Sequence, residues 1–194
     1  GTAPENFAVW MMTWNYTNIR SAKNAEWTEQ ISSVQREAVQ ALGRPWTRMA
    51  PTIGAIKNTF ADKTNDSRYD GTFTTVFRGN WHKANDPTPY VYNANGLPVY
   101  PNEPILTFLD EDVDGIDYSN SVYKSNVGAG VLPGRADFVI APSAISRLRY
   151  PGLWKLGTYR TDNGDGLGQP NGASTRPFNI AKFSELYFIA AEAA

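Results

Sequence analysis

Residues 24–43, NAEWTEQISSVQREAVQALG, carry the reading on which the fold turns. Trp27, Ile31, Val34, Ala38 and Leu42 recur three and four positions apart, the spacing of one apolar helix face. Asn24 can cap the start and Gly43 can close the end. Arg44-Pro45 then blocks continuation, because the residue before a proline is pushed out of the helical region. The spacing predicts a helix from Glu26 to about Leu42.

Upstream, FAVWMMTW at 7–14 reads as a short buried strand, although periodicity alone leaves a helix open. Downstream, a shorter helix is expected over about 52–61, with Ile53, Ile56 and Phe60 on one face. GTFTTVF at 71–77 has the β-branched and aromatic content of a strand. From Gly79 to about Pro133 prolines, glycines and asparagines interrupt every apolar run, which predicts loops with short strands such as Ile105–Leu109. Loops of this length are uncommon unless functional or disordered, and the aromatic content argues against disorder. ADFVIAPSAISRLRY at 136–150 supplies a short strand and a turn of helix. The loop TDNGDGLGQPNGAS at 161–174 leads to a final helix, FSELYFIAAEAA at 183–194. Phe183, Leu186, Tyr187 and Ala190 share one apolar face of it, which continues to Ala194. No repeat recurs at a fixed period.

Composition narrows the function classes. A length of 194 residues suits one domain with a respectable core. Lys and Arg number 18 against 19 Asp and Glu, without a basic run, which argues against a nucleic-acid partner. Zero cysteines exclude disulfides, thiolate metal sites and a cysteine nucleophile within this sequence. The aromatic excess, 6 Trp, 10 Tyr and 9 Phe, sits largely in polar, loop-like surroundings.

That setting suits sugar recognition. A sugar ring has an apolar C–H face and a rim of hydroxyls, so it takes a flat aromatic platform flanked by Asn, Asp or Arg. FRGNWHKANDPTPYVYNANG at 77–96 offers Trp81, Tyr90 and Tyr92 beside Arg78 and Asn80. MMTWNYTN at 11–18 offers a second candidate in Trp14. The alternative is that these aromatics anchor long loops to the body of the protein. DEDVDGIDYSNS at 110–121 opens like a calcium loop, with Asp110, Asp112, Asp114 and Gly115, but has Ser121 where the bidentate Glu belongs. Calcium is thus a candidate ligand of Asp110, Asp112 and Asp114, against the alternative of solvated acids at a hairpin tip. No catalytic group stands out. His82 is the sole histidine, and Glu185 and Glu192 lie seven apart on one helix, farther apart than a glycosidase pair.

Three stretches in order resemble one family. They are RPWTRMAPTIGAIKNTFADKTNDSRYDGTF at 44–73, LWKLGTYR at 153–160 and PFNIAKFSELYFIAAEAA at 177–194. The last is similar to the signature helix R-Y-A-E-V-x-L-x-x-A-E-A of the SusD/RagB family, surface nutrient-binding lipoproteins of Bacteroidetes. Lys182 and Phe183 stand at its Arg and Tyr, and Glu185 and Glu192 at its two Glu positions. The resemblance implies a mainly α fold, a tetratricopeptide-type helical scaffold carrying a loop-rich lobe with short strands. This stretch would be an internal slice of it, loop-rich α+β in content. Residues 7–77 would form a strand-helix-helix-strand segment, 78–135 the loop-rich binding lobe, and 136–194 the return to the scaffold and the signature helix. It further implies a non-enzymatic protein at the bacterial outer membrane, held by a lipid anchor outside this stretch. Such a protein captures an oligosaccharide and delivers it to a SusC-like, TonB-dependent transporter, with no cofactor required. A glycoside hydrolase or its accessory domain, and a structural interaction module, are the competing readings.

Overall fold

The computed structural model describes residues 12–47, 49–119, 125–156, 167–168 and 180–194. Within them the body of the protein is built from loops and short strands in four small sheets. The strands are β1 (Met12–Thr13), β2 (Arg20–Ala22), β3 (Gln30–Ser32), β4 (Arg44–Pro45), β5 (Phe73–Thr74) and β6 (Val76–Arg78), followed by β7 (Val91–Tyr92), β8 (Pro98–Val99), β9 (Pro104–Phe108), β10 (Phe138–Ile140) and β11 (Gly152–Leu153). The helices are α1 (Arg68–Thr72), α2 (Phe183–Ala193), one π-type turn at Ala55–Thr59 and several 3₁₀ turns. A mainly α, tetratricopeptide-type scaffold is therefore not what these residues form.

The largest correction falls on residues 26–42. Instead of a helix, the chain reverses after β2 and returns as β3, with Arg20, Ser21 and Ala22 facing Ser32, Ile31 and Gln30. Asn24 makes the reversal: its side-chain oxygen accepts the amides of Thr28 and Glu29 at 3.1 and 3.3 Å. Trp27 then takes a left-handed backbone (φ +57°), a conformation no α-helix contains. The apolar positions of the pattern are nonetheless inside, since Ile31, Val34, Ala38 and Leu42 are all buried. Their spacing marked the core but not the backbone that delivers them to it. Gly43 ends the segment with φ +62°, and a β-carbon there would stand 2.8 Å from the Thr13 methyl, so a side chain has no room.

Other elements match their local chemistry. The 71–77 strand is β5 and β6, interrupted at Thr75, and the Ile105–Leu109 strand is β9. β9 is the central strand of its sheet, parallel to β10 and antiparallel to β6. In the 52–61 segment the helix is reduced to the π-type turn, which buries Ile56. Phe60 closes it by packing on Tyr69 and Phe73 at 5.6 and 5.7 Å. Of the strand expected over 7–14, residues 7–11 lie outside the described residues, as does most of the 161–174 loop. The final helix is present as α2, and Phe183 through Ala194 are exposed along its whole length. Among the described residues no helix is long and apolar enough to cross a membrane.

An aromatic cluster holds the core. Trp14 meets Phe77 and Phe108 edge-on at 5.2 and 5.8 Å, and Tyr16 stacks on Phe77 at 5.7 Å. Burial pushes the Tyr16 hydroxyl pKa up, and that hydroxyl donates to the Gly43 carbonyl at 3.0 Å. Between the strands, side-chain amides stand in for missing ladders. Asn93, wholly buried, donates to the carbonyls of Ile105 and Ala136 at 2.9 and 2.8 Å and accepts from the Ser21 hydroxyl at 3.0 Å. Asn95 donates to the carbonyls of Leu132 and Arg135.

Two measurements check this account. Asn93→Ala removes the side-chain donor to the buried Ile105 carbonyl and the acceptor of the buried Ser21 hydroxyl, together with one of two donors to the Ala136 carbonyl, and should cost about 2–4 kcal/mol of stability in denaturant titration. Asp137, buried beside β10, feels two opposed influences: burial raises its carboxyl pKa, while hydrogen bonds from Arg135 and Thr107 lower it, with a net depression. A depressed folded pKa stabilises above the ordinary carboxylate range and loses that contribution as pH falls through the folded value. The wild-type melting temperature should thus fall on acidification below about pH 4, and more steeply than that of Asp137→Asn.

Candidate functional site

One open cleft of about 440 Å³ lies where β5 and β6 face the 37–42 segment. Leu42 and Phe73, both nearly buried, give it an apolar floor, and Arg78, Asn102 and Asp70 add polar groups. Trp154, in the 3₁₀ turn after β11, lines it with its side chain 38% exposed. The main chain at that position is tied to the 37–42 segment, because the Gln40 side-chain amide donates to the Trp154 backbone carbonyl at 2.9 Å. Thr74 also lines the cleft, buried, with a hydroxyl that has no hydrogen-bond partner.

The polar wall is an interlocked set. Both hydrogens of the Asn80 amide are engaged, by the Gln35 carbonyl at 3.2 Å and the Glu37 carboxylate at 3.0 Å, and its oxygen accepts the Gln35 amide at 2.6 Å. This side chain pairs with the Gln35 backbone as a neighbouring strand would. Glu37, 7% exposed at its side chain, also receives the Lys83 ammonium. Charge is therefore neutralised deep in the wall, while the exposed Arg78, among the described residues, bonds from its guanidinium to the Asn102 carbonyl at 3.1 Å.

The sugar candidates named from sequence part into three places. Arg78 and Asn80 line the cleft. Tyr90 and Tyr92 join Tyr100 in a separate surface cluster, with Tyr90 5.6 Å from each of the other two rings. Trp81 and Trp14 are wholly buried, so neither presents a ring face to a ligand. The Trp81 indole nitrogen donates to the Thr88 carbonyl at 2.8 Å, tying the 81–90 loop to the core, and Gly79 leaves the space its ring occupies. Sequence reasoning missed Trp154, although it lay in a quoted stretch. Its only signal was a tryptophan next to a lysine after a short strand.

The acidic stretch forms no metal group: among the described residues, no three His, Cys, Asp or Glu side chains gather around one point. Of Asp110, Asp112 and Asp114, Asp112 is turned elsewhere. Its carboxylate accepts the Ser143 amide at 2.7 Å and faces Lys57 at 3.2 Å. The Ser143 hydrogen bonds, with a smaller share from Lys57, hold its pKa below the ordinary carboxylate value. Asp110 and Asp114 are exposed.

No protein-family model matches the chain, and no curated protein matches it.

The wall makes its own prediction. Lys83→Met leaves the Glu37 carboxylate buried with Asn80 as its remaining donor and should cost about 1–3 kcal/mol by thermal or urea unfolding. Adding Glu37→Leu in the same chain should recover most of that loss, because no unpaired charge is then left inside.

Proposed function

We propose that the protein captures an oligosaccharide in the cleft beside Trp154, without turning it over. The observation that carries this reading is the indole of Trp154, partly exposed at a cleft that joins an apolar floor to hydrogen-bonding side chains. A flat apolar surface next to Arg78, Asn102 and Asp70 suits a ring with one C–H face and a hydroxyl rim. The cleft volume of about 440 Å³ lies within the range of small-molecule sites. The Tyr90–Tyr92–Tyr100 cluster is a second aromatic surface of the same kind.

The resemblance of the 177–194 stretch to the SusD/RagB signature helix supports the biological setting we assign. Capture takes place at the bacterial cell surface, in a lipid-anchored outer-membrane protein, and the ligand passes to a SusC-like, TonB-dependent transporter. Calcium at Asp110, Asp112 and Asp114 is not needed for this function, and the Asp112 contacts with Ser143 and Lys57 give it little support.

Titration of the protein against a panel of oligosaccharides, with product analysis, tests the reading. Retention of a glycan without cleavage is expected, and Trp154→Ala should lose roughly 1–3 kcal/mol of binding, the range for an aromatic stacking anchor. Its melting temperature should stay close to wild type, because the indole is partly exposed. Release of shortened products would mark a hydrolase instead. Absence of any glycan binding, with the transporter still bound, would mark a structural module.

A further inference from the structure

Three tyrosines crowd one face of the four-stranded sheet that β7 and β8 belong to. The two strands pair antiparallel, with Val91 opposite Val99 and Tyr92 opposite Pro98, and the same register carried one residue further sets Tyr90 opposite Tyr100. Side chains alternate along a strand, and residues directly opposite one another share a face. Val91 and Val99 are buried, so Tyr90, Tyr92, Pro98 and Tyr100 occupy the outer face. Tyr90 and Tyr92 are half-buried, and Tyr100 is 51% exposed. With Tyr90 5.6 Å from each of the other two rings, the three make one continuous aromatic patch.

This patch is joined to the cleft by a single braced turn. The Tyr100 amide donates to the Glu103 carboxylate at 2.8 Å, and the Glu103 amide donates to the Tyr100 carbonyl at 3.1 Å. The turn is also bonded to Gly79: the Asn102 amide donates to the Gly79 carbonyl at 2.8 Å, and the Gly79 amide to the Glu103 carbonyl at 3.0 Å. Gly79 and Asn102 both line the cleft. Asn102 stands two residues after Tyr100, so their Cα atoms are at most about 7 Å apart.

Resting on the oligosaccharide reading, we propose that the ligand is a linear sugar chain that occupies both surfaces at once. One ring lies on Trp154 in the cleft, the chain leaves over the 100–102 turn, and a further ring lies on Tyr100 and its two neighbours. A tyrosine has a flat apolar face and a hydroxyl at its tip, which suits the C–H face and hydroxyl rim of a second sugar unit. Once the first ring is held, reaching the second surface is an intramolecular event at high effective concentration, so affinity grows with chain length. The charged lining of the cleft is balanced, Glu37 and Asp70 against Lys83 and Arg78, so a neutral chain needs no counter-charge to enter.

Calorimetric titration of the full chain with cello-, malto- and xylo-oligosaccharides of two, four and six units tests the proposal. In at least one series the hexasaccharide should bind about tenfold or more tightly than the disaccharide. Tyr100→Ala should remove most of that gain, while Tyr100→Phe, which keeps the ring, should retain it. Tyr92→Ala, at the other end of the cluster, should also reduce the gain, and it keeps the test decisive should Tyr100→Ala fail to fold. Trp154→Ala should weaken every length that binds. Equal affinity for two and six units, still lost in Trp154→Ala, would overturn the spanning ligand and leave the cleft reading standing. A length gain that survives both Tyr100→Ala and Tyr92→Ala would overturn it as well. Failure of the folded protein to bind any of these probes would overturn both readings together.

Discussion

A buried backbone needs hydrogen-bond partners, and this chain has few long ladders to supply them. Strands of two to five residues cannot satisfy the segments between them. Asparagine side chains fill the deficit. Asn93 joins the segment of Ser21, the strand β9 and the entry to β10 through one buried amide. Asn80 does the same between β6 and the 33–38 segment, copying with its own amide the donor and acceptor of a peptide group. Each such amide is a cross-brace whose removal takes hydrogen bonds from several segments at once. The loops are therefore ordered parts of the body rather than covers laid over it.

That arrangement decides where a ligand can be met. The asparagines that looked suited to gripping sugar hydroxyls are occupied in holding the fold, and the buried tryptophans of the loops serve as anchors. The side chains that line the cleft outside this bracing are Trp154, Asp70 and Arg78, the last with one guanidinium nitrogen on the Asn102 carbonyl. Under the proposed capture, a ring would meet groups carried on a braced backbone, which limits the conformational entropy lost on binding.

How far the sequence was legible follows from the range of the interactions involved. α2 was read correctly because its helix rests on local propensity, with Leu, Glu and Ala throughout, and its residues are exposed among the described residues. β5, β6, β9 and β10 were legible because β-branched and aromatic runs lie between clear turn residues. The 26–42 segment misled because spacing reports which residues face the interior, and an irregular extended segment can bury the same positions as a helix. The deciding facts were a side-chain cap from Asn24 and a left-handed Trp27, neither encoded in periodicity. Trp81 misled for a related reason. Its polar surroundings in sequence are the turn residues of its loop, while its ring reaches inward to Thr88 and the core. Trp154 became visible only when the 37–42 segment was placed beside it, through a hydrogen bond from Gln40 that spans 114 positions.

Pairing inside the wall also decides which charges the cleft presents. Glu37 and Lys83 both line it, and they are spent on each other. Arg78 and Asp70, one of each sign, complete the charged lining. With a net charge of −1 the chain has no broad field to steer an ion from solution, and screening at physiological salt confines what field there is to roughly 8 Å. The cleft therefore offers apolar surface and hydrogen-bonding groups rather than a net charge of either sign.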